Sequence, residues 1–84
     1  MYACYILKSL IDNNLYIGST SDIKRRISEH NSGKVFSTKS RRPFELVYCE
    51  LYKSESDARK REHRLKLNGR ALGQLKGRIT DSIK

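Results

Sequence analysis

Five side chains in this sequence could do acid–base or phosphoryl chemistry if the fold gathered them: Tyr5, Tyr16, Arg26, His30 and Glu62. Ile23 and Ile27 are four residues apart and mark the core-facing stripe of a helix. Arg26 follows Ile23 by three, and His30 follows Arg26 by four and Ile27 by three, so all four share one side. An arginine there ordinarily buries its stem and carries its head to water. A histidine there ordinarily closes the helix end on a nearby carbonyl. On a second helix Glu62 falls between Ala58 and Leu65, the residues that mark its apolar face. A lone carboxylate aimed at a core loses hydration and needs a cationic partner, a hydrogen-bond network or a metal. An ion pair with Arg59 or Lys66 is the ordinary solution.

Tyr5 and Tyr16 lie on two paired strands. If Asn13-Asn14 make a two-residue loop, Asp12 pairs with Leu15 and Tyr16 lies opposite Ile11, on the face of Tyr5. Either tyrosine alone is ordinarily a core aromatic with a solvated hydroxyl. Gly18, two residues after Tyr16, has no side chain and leaves room for a ligand to approach the backbone. Two phenols, a guanidinium, an imidazole and a carboxylate that converge beside a basic surface suit phosphodiester hydrolysis. A phenol or imidazole takes a proton from water. A guanidinium offsets charge on the pentavalent phosphate. A carboxylate holds one magnesium ion, whose other ligands are mostly water and phosphate oxygen.

The elements that must position these groups are legible as a β-β-α-β-α order with a short final helix. "YACYILKSL" (Tyr2–Leu10) is rich in β-branched and aromatic residues and reads as a strand. "DNN" (Asp12–Asn14) signals a turn, and "LYIGST" (Leu15–Thr20) reads as the returning strand of an antiparallel hairpin. Ser21 or Asp22 can cap a helix from Ile23 to Asn31 that stops at Gly33. Lys34 to Arg42 is a basic, hydroxyl-rich loop before Pro43. "FELVYCELY" (Phe44–Tyr52) is a third strand. "SESD" from Ser54 resembles a capping box for a helix from Glu55 to Leu67 that ends at Asn68-Gly69. The last segment can form a short helix, which Gly73 and Gly77 weaken. The expected fold class is α+β: a small three-stranded mixed or antiparallel sheet flanked by helices. Burial of Ile6, Ile17, Leu46 and Leu65 would stabilise it by about 1.5–3 kcal/mol each.

Eighty-four residues suffice for one domain, here 1–84, with one small core. The chain carries 18 Lys+Arg against 9 Asp+Glu, a net charge of +9, which points to a polyanionic partner. From Arg59 to Lys84 the net charge is +7, which makes that third the stronger electrostatic footprint for a phosphate backbone. No apolar run approaches the roughly 20 residues of a membrane span, and the N-terminus has no secretory pattern, so a cytoplasmic protein is expected. Cys4 and Cys49 lack metal or disulfide spacing and read as two buried thiols.

The joint pattern "Y-x10-YIG-x7-R-x3-H", followed by "RE-x-x-LK", resembles the GIY-YIG nuclease domain over almost the whole chain. Tyr16-Ile17-Gly18 is the second half of the signature, and Cys4-Tyr5-Ile6 keeps the tyrosine of the first half and replaces its glycine. More narrowly, the chain is similar to the short stand-alone bacterial members of the family, often labelled as excinuclease-subunit-like or uncharacterised. The resemblance implies divalent-metal-dependent hydrolysis of DNA phosphodiester bonds, in repair or processing, with magnesium or manganese. It implies Glu62 as the metal ligand and Arg26 as the transition-state cation. Tyr5 or Tyr16 acts as or positions the general base, and His30 supports that base or a phosphate. Lys24, Arg25, Lys34, Lys39, Arg61 and Lys66 are the expected nucleic-acid contacts. In larger relatives appended modules choose the target, so DNA binding of low sequence preference is expected, with a protein partner supplying target recognition. A non-catalytic nucleic-acid-binding module, or a subunit of a repair or recombination complex, is the alternative.

Overall fold

A computed structural model describes residues 1–84. Strand β1 (Tyr2–Ser9) is central: it pairs antiparallel with β2 (Leu15–Thr20) on one side and β3 (Phe44–Tyr52) on the other. Five consecutive β1 residues, Ala3 to Leu7, are buried, because both faces of this strand are covered. The sheet is wholly antiparallel, so of the two expected arrangements the antiparallel one holds.

Between β1 and β2 the two-residue loop gives way to a longer one. Lys8, not Asp12, pairs with Leu15. The physical reason is Ser9, whose hydroxyl oxygen accepts from the amides of Ile11 and Asp12 while donating to the Arg41 carbonyl at 2.6 Å. That side chain diverts the backbone from the ladder before the tip. Asn13 then takes a left-handed conformation, φ 62°, and Asp12 Oδ1 accepts from the Asn14 amide. The partner of Leu15 moves by an even number of residues, so Tyr16 keeps the face predicted for it and stands opposite Leu7.

On the Tyr5 face lies helix α1 (Ile23–Asn31). Asp22 caps it, accepting from the Arg25 amide at 3.1 Å, and Gly33 follows its end at φ 80°. Its Ile23 and Ile27, like Tyr16, pack on the cluster of Tyr5, Leu7 and Phe44. A 3-10 helix (Phe36–Arg41) occupies part of the expected loop. The opposite face carries α2 (Glu55–Leu67) and α3 (Gly69–Arg78), whose Leu65 and Leu75 join Cys4, Ile6 and Ile17 in the main core. Ser54 stands at the α2 N-cap position without a side-chain bond, so the expected capping box does not form. The final helix forms despite Gly73 and Gly77. Asn68 Oδ1 caps it by accepting from the amides of Arg70 and Ala71, and Ala71, Leu72 and Leu75 pack inward.

Two burial expectations are corrected on β3. Cys49 is exposed, and Leu46 retains 37% of its surface. Both lie on the Tyr5 face of an edge strand, with a register shift between Ile6 and Leu7, and α1 reaches only its Phe44 end. Cys4 is buried, and burial raises its thiol to about 11, so it is a neutral core group.

Candidate active site

The centre of the candidate site is a histidine without access to solvent. His30, in the last turn of α1, is completely buried. Its Nε2 is 2.9 Å from the Tyr5 hydroxyl and its Nδ1 is 2.8 Å from Thr38 Oγ1. Thr38, on the 3-10 helix, also donates toward the Val35 carbonyl at 3.4 Å. With that proton committed, Nδ1–H donates to Thr38 and Nε2 accepts from Tyr5 O–H, a chain in which every polar atom is matched. Burial lowers the His30 pKa, and the nearby Arg26 lowers it further, so the imidazole is neutral. A neutral ring is what this bonding scheme requires.

Tyr5 and Tyr16 stand beside it. Their ring centroids are 6.4 Å apart, and Tyr16 meets the imidazole edge-on at 5.0 Å. Tyr5 is 1% exposed, and burial raises its phenol to about 12 against the opposing pull of the Arg26 guanidinium. It is therefore a neutral, fixed donor. Tyr16 is half-buried and is the phenol of the pair that a ligand can reach. Gly18 is needed here for a reason different from the one expected: the space above it is filled by the Tyr5 ring, and a Cβ there would run into the Tyr5 hydroxyl. The opening for a ligand predicted at Gly18 is thus closed.

Arg26 lies on the exposed margin of α1, with its side chain 34% exposed. Its Nη1 donates to Glu29 Oε1 at 3.0 Å, and the guanidinium faces the Tyr5 phenol as well. One planar cation is thereby held by Glu29 beside the Tyr5 phenol, with part of its edge free toward solvent.

Glu62 stands apart from the Tyr5–His30 cluster. Helix α2 covers the other face of the sheet, and Glu62 reaches β2, the edge strand, where Ser19 donates to Oε1 at 2.5 Å. Lys66, one turn along, donates to Oε2 at 2.7 Å, and its ammonium lies 5.8 Å from the Tyr16 ring centroid. Lys66 thus spans the edge of β2, from the carboxylate on one side to Tyr16 on the other. Burial raises the Glu62 pKa, but the bonds from Lys66 and Ser19 outweigh it and hold the group below the ordinary carboxylate range. The carboxylate is ionised and already neutralised by one cation.

That is the observation against which a metal can be tested. No cluster of three His, Cys, Asp or Glu side chains is present to cage an ion. Magnesium needs no such cage: one or two carboxylates with water and phosphate oxygens complete its octahedron. An ionised carboxylate with an exchangeable ammonium on one oxygen fits that donor set.

The expected nucleic-acid contacts divide. Lys24, Arg25, Lys34 and Lys39 are exposed on α1, the segment after it and the 3-10 helix, on the side of the sheet that carries Tyr5. Lys66 is held as described. Arg61 is on the other flank of α2, where Nε and Nη2 grip Glu50 at 2.9 and 3.2 Å, and the hydroxyls of Tyr48 and Tyr52 donate to the same carboxylate. Burial pushes Glu50 up, but these four bonds prevail and keep it ionised. Arg61 therefore clamps α2 to β3. Sequence reasoning missed Thr38 and Ser19. Ser19 was within reach of it, because it shares strand parity with the core residue Ile17. Thr38 was one hydroxyl among several in its loop, and nothing local singled it out.

Residues 1–76 match the family described as the GIY-YIG catalytic domain. Over 63 residues the chain is 48% identical to a UPF0213 protein of Staphylococcus haemolyticus, covering 74% of this chain and 76% of that one. It is 43% identical over 68 residues to a UPF0213 protein of Natronomonas pharaonis, covering 80% and 79%. Its fold is similar to the solution NMR structure of a UPF0213 protein from Bacillus halodurans, with TM-score 0.55, 38% identity, and coverage of 89% of this chain and 82% of that one.

Proposed function

The chain belongs to the GIY-YIG catalytic-domain family, and on that premise we propose that it is a divalent-metal-dependent endonuclease that hydrolyses DNA phosphodiester bonds with low sequence specificity, in repair or processing. The observation that carries this reading is the pairing across the edge of β2. On one side a reachable phenol, Tyr16, is backed by a neutral imidazole and an oriented guanidinium; on the other an ionised carboxylate holds an exchangeable cation.

In this scheme Tyr16 acts in its phenolate form: it holds the attacking water and takes up its proton as the new phosphorus–oxygen bond forms, becoming the neutral phenol. Tyr5 and His30 do not touch the substrate. Tyr5 is buried, and its role is to fix Arg26 and the imidazole against which Tyr16 packs. Arg26 turns its free edge to the non-bridging phosphate oxygens, where negative charge grows. Glu62 would hold the magnesium or manganese, which when bound supplies positive charge at a phosphoryl oxygen. The leaving oxygen departs on the other fragment of the strand that is cut and takes its proton from solvent. Lys24, Arg25, Lys34 and Lys39 contact the backbone on either side.

The experiment is incubation of the purified protein with end-labelled single-stranded, duplex and branched DNA, with magnesium or manganese, beside an arm containing chelator. Cleavage that disappears with chelator and returns with added metal supports the scheme. Cleavage indifferent to chelator removes the metal-dependent scheme; no cleavage on any substrate leaves the non-catalytic nucleic-acid-binding module.

A further inference from the structure

Helix α2 has two polar flanks. Glu62, Lys66 and Arg59 belong to one, toward β2; Asp57, Arg61 and Arg64 belong to the other, toward β3 and α3. Along the second flank runs a groove of about 1040 Å³ between α2 and α3. Its charge is one-sided. Lys60, Arg61, Arg64, Arg70 and Arg78 line it against a single carboxylate, Asp57. Arg61 is committed to Glu50, but Lys60, Arg64, Arg70 and Arg78 are all exposed and none is in an ion pair. Four uncompensated cations facing one concavity repel one another, and that repulsion is relieved by a polyanion.

We propose that this groove is a second nucleic-acid site, which binds the phosphate backbone of duplex DNA and is separated from the candidate hydrolytic site by the body of α2. The inference rests on the proposed nuclease reading for its choice of DNA, and no residue of that site lines the groove. Three of the four free cations are arginines, whose forked donors match phosphate oxygens. The rings in the lining are Tyr52, which is tied to Glu50, and the single imidazole of His63, so the groove offers no row of stacking platforms. Single-strand binders depend on such platforms, so the chemistry here suits stacked duplex, held by its backbone without base readout. The groove tethers DNA while the β2 edge acts on it.

The test is fluorescence anisotropy with a labelled 20-base-pair duplex in chelator, so that no cleavage intervenes, over a series of salt concentrations. The triple variant Arg64→Glu, Arg70→Glu, Arg78→Glu is compared with the unaltered protein, its folding verified by circular dichroism. The neutral pair Arg64→Gln, Arg70→Gln serves if the triple does not fold. The expected result is at least about a tenfold loss of affinity and a salt slope shallower by nearly one for each cation removed. Affinity within twofold and an unchanged slope overturn the inference. So does unchanged duplex binding accompanied by lost binding to phosphatidylglycerol vesicles, which assigns the groove to a membrane surface. A protein that cleaves nothing yet loses duplex binding in the variant defeats the nuclease reading and leaves this site standing. One that cleaves normally and binds normally as the variant does the reverse.

Discussion

His30 is the residue whose environment makes the plainest demand. Its folded pKa is lowered by burial and then by Arg26, while unfolded it returns toward 6.5. As pH falls through about 6.5 the unfolded chain gains a proton that the native imidazole refuses, so stability falls with pH over that window and is retained above it. Urea unfolding at intervals between pH 7.5 and 5.5 should show this decline, and His30→Gln should flatten it; the remaining histidine, His63, is exposed. Arg26 is tested by truncation. On the proposed function Arg26→Ala reduces kcat by about 10²–10³, or about 2.7–4 kcal/mol, as for loss of a preorganised charge-stabilising group. Lys66→Met should act differently. It frees Glu62 Oε2 from an ammonium at 2.7 Å, so magnesium binding measured by calorimetry tightens while DNA affinity weakens. Weaker metal binding in that variant would show that Lys66 orders the carboxylate rather than competing for it.

At the scale of elements, the contact between β1 and β2 is the most constrained. The ring of Tyr5 lies over Gly18, and a Cβ there would strike its hydroxyl. Gly18→Ala should therefore destabilise the protein by about 1–3 kcal/mol through overpacking. Adding Tyr5→Phe, which removes the obstructing oxygen, should recover part of that loss, a coupling that a double-mutant cycle of denaturant midpoints reads directly. The bounds of β2, β3, α1 and α2 were legible because alternation, caps and the 3.6-residue stripe all act within a few residues. The hairpin loop was not, because the Ser9 hydroxyl that ends the strand early is recruited partly by Arg41, far along the chain. The last helix was underestimated because propensity counts its glycines and does not see Leu75 buried against the sheet. Tyr5 and Tyr16 kept their shared face only because side-chain alternation has period two and the register moved by an even step.

For the whole molecule, the net charge of +9 points to a polyanionic partner but not to where it would sit. The candidate site was legible as a set of residue types at family spacing, and Arg26 and His30 on one helix stripe were readable from that helix alone. What could not be read was that the sheet divides the set. Tyr5, Tyr16, His30 and Arg26 occupy one face, while Glu62 comes from the other and meets them across the edge of β2, where Lys66 links it to Tyr16. Strand order decides that, and β2 at the edge is a property of three strands taken together. Hydrolysis in the proposed scheme therefore depends on one carboxylate reaching around one strand. The direct measurement is cleavage of labelled branched and single-stranded DNA by the unaltered protein and by Glu62→Ala, side by side, with magnesium and with DNA affinity measured in parallel. The account predicts that the variant loses cleavage and keeps most of its binding. Equal cleavage by both proteins would contradict it and trace the activity to something other than this site.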